Sequence, residues 1–252
     1  MKILFFGDIV GRVGRDAVMA SISELRRQFA PDVCVANCEN ASGGFGITRD
    51  GAETLLRAGI DVFTTGNHVW SKKEIIELFD EIPIIRPYNL PAGDPGAGMV
   101  TYSTPNGQKL CVINLMGRLY MDFPTSNAFF ALDEAIQKAD TPHILVDFHA
   151  EATSEKKALG YYADGRVSAV LGTHTHVQTA DACILEGGTA YITDVGMCGA
   201  SHSVLGAAVP VAVARFTSSV RRPYEAAEGK WEVHAVFIET DENGRAVQMM
   251  RL

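Results

Sequence analysis

Two histidines separated by one residue follow an apolar run in the second half of the chain. Residues 167–171 are mostly β-branched or apolar, the run breaks at Gly172, and His174 and His176 come next. If the backbone stays extended through Thr175, both imidazoles project from the same face of the strand, about 6.5 Å apart along it. That spacing suits two metal ions about 3.5 to 4 Å apart, each taking one histidine. Two ordinary strand-end histidines are the alternative, and the pair alone does not exclude it.

The composition is that of an ordinary globular chain with an acidic balance. The 252 residues carry 22 Lys and Arg against 30 Asp and Glu, a formal net charge of −8, and 47% of them are hydrophobic. The negative net charge does not favour non-specific electrostatic binding to extended nucleic acid or to an anionic membrane. A phosphate substrate would therefore need another source of positive charge, and bound divalent ions could supply it.

The cysteines favour a reducing compartment. Their number, five, is odd, there is no Cys-x-x-Cys, and the predicted strand around Cys34 and Cys38 separates these two too far for a disulfide. The first eight residues show no apolar region with a cleavage site, and no apolar run reaches the roughly 18 residues that cross a membrane. We therefore expect a cytoplasmic protein with reduced cysteines and no membrane span.

An alternation of apolar strands with amphipathic helices predicts an α/β fold. The carboxyl ends of such strands lie at the edge of the sheet where ligands bind. Hairpins interrupt this alternation and then replace it towards the end of the chain. The predicted strands cover 2–6, 32–36, 61–65, 99–103, 109–115, 143–148, 167–177, 182–185, 189–193, 209–217, 231–239 and 246–251, and the predicted helices cover 13–29, 49–58, 72–79, 126–139 and 151–162.

Polar residues follow several of these strands at the edge where a ligand would bind. Histidines, carboxylates and amides form a mixed nitrogen and oxygen set, which suits hard or borderline divalent ions better than soft ones. A carboxylate can bridge two ions at short spacing, and Glu39, or with less support Asp8, is placed to do so. The set comprises Asp8, Glu39, Asn40, Asn67, His68, His149, His174 and His176.

Other polar residues near this edge are weaker candidates. A glycine-rich loop leads into the second helix and could bring Ser42 and Gly43 to a phosphate, although it is neither Gly-x-Gly-x-x-Gly nor a P-loop and could be a connector. Arg86 lies in a proline-rich loop, where it could approach a ligand or hold the loop in place. Asp194 and His202 lie in glycine-rich loops, and we interpret His202 as a surface residue.

These motifs resemble those of the calcineurin-like metallophosphoesterases. Two departures from the common pattern are Val10 in place of a histidine, and a Glu39-Asn40 pair in place of a second Gly-Asp motif. One branch, the YmdB-like phosphodiesterases, shares both departures. The resemblance to this branch spans nearly the whole chain and rests on Gly7-Asp8, Asn37-Cys-Glu39-Asn40, Ser42-Gly-Gly-Phe-Gly, Gly66-Asn67-His68, Arg86-Pro, His149, Gly172-Thr-His174-Thr-His176 and Thr193-Asp-Val-Gly-Met.

The resemblance implies a four-layer αββα sandwich, one metallophosphoesterase domain over residues 1–252, and a dinuclear site for two divalent ions such as Fe, Mn or Zn. His68 would bind neither ion and would protonate the leaving oxygen as a general acid. An alternative is that His68 only orients Asp8 or a water. By the same resemblance, one ion would be held by Asp8, Glu39, Asn40 and His176, and the other by Glu39, Asn67, His149 and His174.

The implied activity is metal-dependent hydrolysis of small phosphodiesters, with 2′,3′-cyclic nucleotides as the best guess and with attack by a hydroxide that bridges the ions. Two alternatives use the same site: a phosphomonoesterase and an RNA nuclease. A third is a metal-loaded regulatory scaffold whose turnover is incidental. The resemblance also implies that the chain could form a homo-oligomer.

Overall fold

The computed structural model describes residues 1–220 and 222–252. The helices are α1 (Gly11–Phe29), α2 (Arg49–Ala58), α3 (Ile75–Glu81), α4 (Ala128–Lys138), α5 (Thr153–Ala163) and α6 (Val209–Thr217), and a 3-10 helix covers Val69–Ser71. The strands are β1 (Lys2–Phe6), β2 (Asp8–Ile9), β3 (Val33–Asn37), β4 (Val62–Thr64), β5 (Met99–Ser103), β6 (Lys109–Met116), β7 (Ile144–His149), β8 (Ala169–Thr173), β9 (Cys183–Ile184), β10 (Ala190–Ile192), β11 (Met197–Ala200), β12 (Trp231–Val233), β13 (Ala235–Thr240) and β14 (Ala246–Arg251).

Two large sheets stack face to face. One has the strand order β14-β13-β1-β3-β4, and the other has the order β5-β6-β7-β8-β10-β9. The apolar residues between them come from both sheets and are buried, with Phe5 and Val35 on one side and Val112 and Leu171 on the other. Burial of this shared apolar surface holds the two sheets together as the inner layers.

Helices cover the outer face of each sheet. The first sheet packs against α1, α2 and α3 through residues such as Val18, Leu55 and Leu78. The second packs against α4 and α5 through Leu132 and Leu159. The layers therefore run αββα, which confirms the four-layer α/β fold; that residues 1–252 form a single domain stays a prediction.

Parallel pairing brings the carboxyl ends of the central strands to one edge. β3 lies between β1 and β4 and runs parallel to both, and β7 lies between β6 and β8 and runs parallel to both. A small third sheet, β12-β11-β2, crosses this edge, and Met197 of β11 pairs with Asp8 of β2. The residues that follow the central strands are thus gathered at one end of the sandwich.

The segment predicted as a strand over 209–217 is the helix α6. Its valines alternate at 209, 211 and 213, which mimics a strand with one buried face. Pro210 lies in the first turn of the helix, where its fixed φ is favourable and its missing N–H costs nothing. The alternation was therefore the wrong signal, and the proline was the informative one.

Two other predicted elements differ from the structure. The strand predicted over 231–239 is divided at His234, because β12 pairs with β11 while β13 pairs with β1 in another sheet. The helix predicted over 72–79 begins at Ile75, and a 3-10 helix that ends at Ser71 precedes it. By contrast, the helix predicted over 49–58 has the predicted ends.

No helix in residues 1–220 and 222–252 combines the length and the apolar character that a membrane span requires. The cysteines carry no disulfide; four are buried and Cys183 is exposed.

Replacing Gly172 with alanine should destabilise the fold. A Cβ atom at this position would lie 1.7 Å from the carbonyl oxygen of Thr193, so β8 and the segment after β10 would have to move apart. We expect Gly172→Ala to lower the free energy of unfolding by about 3 kcal/mol, measured by urea denaturation. Gly93→Ala is the matched control, since nothing lies within 4 Å of the position that its added methyl group would take. Equal midpoints for the two variants would contradict the expectation.

Candidate metal centre

A carboxylate, an amide and an imidazole converge on the Nε2 atom of His149. Glu39 Oε1 lies 3.1 Å from this nitrogen, and Asn67 Oδ1 and His174 Nδ1 each lie 3.0 Å from it. Ligand atoms of Glu39, His149 and His174 all lie within 4.8 Å of one another. We call these four residues the inner cluster; their spacing leaves the donors close enough to hold one cation.

Three further residues form a wider group beside the inner cluster. Asn40 Oδ1 lies 3.2 Å from His176 Nε2, and Asp8 Oδ1 lies 4.0 Å from the same nitrogen. Asp8 Oδ1 is buried and has no hydrogen-bond partner in the described part of the chain. A buried carboxylate oxygen without a partner is costly, and a cation would remove that cost. Asp8, Asn40 and His176 are called the outer cluster below.

Hydrogen bonds to the backbone orient His176 and Asn40 so that an acceptor atom of each faces the site. His176 Nδ1 donates to the carbonyl oxygen of Leu205 at 3.0 Å, so its Nε2 presents a lone pair. Asn40 Nδ2 donates to the carbonyl oxygen of Gly44 at 2.8 Å, so its Oδ1 is turned towards His176. Two acceptors therefore face each other, an arrangement that a cation between them stabilises.

His149 is oriented in a similar way, by a hydrogen bond at its Nδ1. Thr173 Oγ1 donates to Asp147 Oδ1 at 2.6 Å and therefore accepts from His149 Nδ1, which lies 2.9 Å away. When His149 is neutral, its Nε2 lone pair therefore faces the inner cluster. Asp147 is itself buried and accepts from Asn37 Nδ2 at 3.0 Å and from the hydroxyl of Thr64. Asp147 thus orients His149 through Thr173. A carboxylate in the middle of the apolar strand β7 could have indicated this role, but the sequence analysis missed it.

The candidate ligands follow or end strands of both large sheets. Asp8 follows β1, the Glu39-Asn40 pair follows β3, and Asn67 follows β4 in the first sheet. His149 ends β7 in the second sheet. The two sheets therefore contribute to one site, as expected for residues at the carboxyl ends of stacked parallel strands.

His174 and His176 reach the site from a turn and not from an extended strand. β8 ends at Thr173, and φ is 100° at His174 and 64° at His176, so the prediction of extended backbone through Thr175 was wrong. Positive φ is uncommon for residues other than glycine and needs support from its surroundings. The backbone N–H of His174 donates to Asp8 Oδ2 at 3.1 Å, and that of Thr175 donates to a carboxylate oxygen of Asp194 at 3.0 Å.

A buried ion pair supports this turn. Lys156 Nζ lies 2.7 Å from Asp194 Oδ2 and donates to the carbonyl oxygen of Thr173 at 2.8 Å. Both charged side chains are buried. The sequence showed Asp194 only as a polar residue in a glycine-rich loop, and Lys156 carried no signal, because its burial depends on a contact 38 residues away.

Burial and neighbouring charges shift the pKa values of the cluster. Burial raises the pKa of Asp8 to about 6. Burial would also raise the pKa of Glu39, but the charge and hydrogen bond of His149 lower it to about 2. Burial would lower the pKa of His149, yet Glu39 raises it to about 9, while burial and the charge of His149 lower the pKa of His174 to about 3. Without a cation the cluster therefore retains a proton between Glu39 and His149, which a bound cation would replace.

His68 lies beside the inner cluster and is half-buried. Its backbone N–H donates to Glu39 Oε2 at 3.0 Å, while its ring Nε2 lies 3.3 Å from Asn67 Nδ2. The ring also packs edge-on against Phe45, with centroids 4.8 Å apart. The backbone of His68 thus orients a carboxylate of the cluster, and its imidazole remains at the margin.

The other sequence candidates make different contacts. Ser42 Oγ accepts the backbone N–H of Thr48 at 3.0 Å, which fastens the glycine-rich loop to α2. Arg86 is buried and donates to backbone carbonyl oxygens, including that of Pro87 at 2.8 Å. Gly43 is exposed with φ of 69°, and His202 is exposed as expected. The contacts of Ser42 and Arg86 hold loops in place.

Comparisons with known proteins cover nearly the whole chain. A family model described as YmdB-like protein matches residues 4–252. A 2′,3′-cyclic-nucleotide 2′-phosphodiesterase of Bacillus subtilis (strain 168) is 47% identical, and the alignment covers 100% of this chain and 96% of that protein. A crystal structure of a hypothetical protein from Thermus thermophilus matches with a TM-score of 0.95 and 42% identity, covering 100% of this chain and 98% of that one. A crystal structure of a novel phosphatase from Mycoplasma pneumoniae matches with a TM-score of 0.94 and 34% identity, covering 100% and 92%.

Replacing Lys156 with methionine should both destabilise the protein and weaken the turn that carries His174 and His176. The change leaves the carboxylate of Asp194 buried without its cation, which costs about 3 to 5 kcal/mol. We expect a lower urea midpoint and weaker Mn²⁺ binding by calorimetry. The control is Lys157→Met, because the side chain of Lys157 is 47% exposed and its ammonium lies 3.6 Å from the partly exposed carboxylate of Asp181 and 6.0 Å from the centre of the Tyr191 ring. If both variants behaved alike, the supporting role of Lys156 would be wrong.

Proposed function

The chain belongs to the YmdB-like protein family, and we propose that it hydrolyses small phosphodiesters at a metal centre formed by the inner and outer clusters. The relative in Bacillus subtilis is named a 2′,3′-cyclic-nucleotide 2′-phosphodiesterase, which supports 2′,3′-cyclic nucleotides as the substrates here. The observation that carries the proposal is the set of inward-facing acceptors around His149 Nε2, with the unpartnered Asp8 Oδ1 beside them.

The donor set fits two divalent transition-metal ions. Nitrogen and oxygen donors without thiolates suit Mn, Fe or Zn. When bound, such ions would polarise the phosphoryl oxygens and lower the pKa of coordinated water. The inner cluster would hold one ion through Glu39, Asn67, His149 and His174, and the outer cluster would hold the other through Asp8, Asn40 and His176 with Glu39 shared.

We assign His68 the role of proton donor to the leaving oxygen. Its contact with Glu39 is made by the backbone N–H, while its imidazole lies at the margin of the cluster, with Nε2 3.3 Å from Asn67 Nδ2. Burial lowers the pKa of His68, which makes its protonated form a stronger acid. For a 2′,3′-cyclic nucleotide the oxygen of water adds to phosphorus and the P–O2′ bond breaks. The leaving group is the ribose O2′, which takes the proton from His68, and a 3′-nucleotide forms.

Hydrolysis of phosphomonoesters at the same site is the second candidate. The related structure from Mycoplasma pneumoniae is described as a novel phosphatase. A monoester dianion requires more positive charge than a diester, and the guanidinium of Arg86 is occupied by backbone carbonyls. We therefore expect bis(p-nitrophenyl) phosphate to be cleaved faster than p-nitrophenyl phosphate. The reverse order would favour the phosphatase.

Metal content tests the shared carboxylate. We expect the purified protein to bind two equivalents of transition metal by elemental analysis, and Glu39→Gln to bind less than one, because a neutral amide bridges two cations poorly. The control is Glu24→Gln, since the carboxylate of Glu24 is 60% exposed and lies on α1. A full metal content in Glu39→Gln would show that Glu39 is not shared. Two bound ions without turnover of any phosphate ester would instead favour the metal-loaded scaffold.

His68→Ala separates catalysis from metal binding. The backbone N–H that contacts Glu39 remains in this variant, so we expect the metal content to be unchanged. Removal of a general acid should lower kcat on adenosine 2′,3′-cyclic phosphate by about 100-fold or more. His202→Ala, at an exposed position, should retain the activity of the unaltered protein. Loss of metal from His68→Ala would give His68 a structural role, and an unchanged kcat would rule out the proton donor.

A further inference from the structure

A row of aromatic rings leads away from the metal centre on the side of His68. Phe45 packs edge-on against His68, and Tyr224 packs edge-on against Phe45, each pair with ring centroids 4.8 Å apart. The backbone approaches this row closely at Gly44, where an added Cβ atom would lie 2.3 Å from the ring of Tyr224. Tight packing therefore fixes Tyr224 relative to the catalytic histidine.

Two cavities adjoin Tyr224, and both are lined by Arg215. The cavity named here the arginine cavity has a volume of about 430 Å³ and is also lined by Phe45, Ser218, Val220 and Arg222. The cavity named the apolar cavity has a volume of about 480 Å³, and its other lining residues are apolar: Val204, Leu205, Ala207, Val211, Ala212 and Phe216. Each volume falls within the range of small-molecule sites.

The apolar cavity is connected to the outer cluster as well. Leu205 lines this cavity, and its carbonyl oxygen accepts the hydrogen bond from His176 Nδ1 at 3.0 Å. Phe45 makes the corresponding connection between the arginine cavity and His68. The two cavities together, called the recess, thus border the candidate metal centre at two points.

The charges of the recess differ from those of the chain as a whole. Arg215 and Arg222 line the arginine cavity, whose described lining includes no carboxylate, while the chain has a formal net charge of −8. The ion pairs found in residues 1–220 and 222–252 involve neither of these arginines. Two guanidinium groups beside aromatic rings are suited to a phosphate and a nucleobase.

We propose that the recess is a nucleotide subsite that binds a second phosphate, on the 5′ side of the ribose whose cyclic phosphate is cleaved. This inference rests on the proposed function, in which the ribose O2′ leaves towards His68. The ribose and base then lie on the side of the recess, with the base in the apolar cavity against Tyr224 and the 5′-phosphate between Arg215 and Arg222. The substrate class is a 5′-phosphorylated nucleoside 2′,3′-cyclic phosphate, either free or as the 3′ end of an oligoribonucleotide.

The value of kcat/KM for matched substrates tests the subsite. Adenosine 2′,3′-cyclic phosphate is compared with its 5′-phosphorylated form and with the dinucleotide adenylyl-adenosine 2′,3′-cyclic phosphate. We expect the 5′-phosphate to raise kcat/KM about tenfold, which corresponds to about 1.4 kcal/mol, mainly through a lower KM. If kcat/KM rises equally with the dinucleotide, the 3′ end of an RNA supplies the second phosphate. If kcat/KM rises only with the 5′-monophosphate, a free nucleotide supplies it.

The double variant Arg215→Gln/Arg222→Gln should lose the difference between the phosphorylated and unphosphorylated substrates. Arg57→Gln is the matched control, because its side chain is 66% exposed on α2, and it should keep the difference. Equal kcat/KM for both substrates in the unaltered protein would overturn the subsite. So would a preference that persists in the double variant.

Binding by calorimetry separates failure of the subsite from failure of the proposed function. The unaltered protein should bind adenosine 3′,5′-bisphosphate more tightly than adenosine 3′-phosphate, and the double variant should not discriminate. If no phosphodiester is hydrolysed but this preference is observed, the proposed function is overturned and the subsite stands. If cyclic nucleotides are hydrolysed and no preference is observed in either assay, the subsite is overturned and the function stands.

Discussion

Negative charge buried at one edge of the sandwich is the constraint on which the rest of the structure depends. In residues 1–220 and 222–252, four carboxylates are buried, those of Asp8, Glu39, Asp147 and Asp194. Asp194 is paired with Lys156, and Asp147 is held by hydroxyl and amide donors. Asp8 and Glu39 face histidines and backbone N–H groups. Burying such charges costs several kcal/mol each unless a cation compensates them, so the fold itself favours cations at this point.

The layers of the fold explain how residues distant in sequence reach this edge. Parallel strands of both sheets end there, and the chain segments between them approach one another without intervening side chains. A Cβ atom at Gly7 would lie 2.1 Å from the carbonyl oxygen of Gly196, and one at Gly66 would lie 2.3 Å from the ring of His149. Because glycine has no side chain, the backbone at these two positions lets the carboxylates and imidazoles approach closely enough to bind one cation together. The aromatic and arginine residues of the recess then border the side of the site on which His68 lies.

The sequence predicted which residues lie together at the site better than it predicted the local structure around them. Apolar runs that end in a polar residue mark strand ends, and this signal located Glu39, Asn67 and His149 without tertiary information. The turn after Thr173 could not be predicted in this way, because its positive φ values are stabilised by hydrogen bonds to carboxylates from other elements. The same reason applies to Lys156, whose burial has no local pattern. The helix α6 was missed because alternating valines outweighed a proline in the prediction.

Anomalous diffraction from crystals grown with Mn²⁺ measures most directly whether the buried carboxylates share two cations. We expect two anomalous peaks, one among Glu39, Asn67, His149 and His174 and the other among Asp8, Asn40 and His176, with an oxygen of Glu39 contacting both. A single peak that Glu39 does not contact, or no peak at this edge of the sandwich, would contradict a shared dinuclear centre.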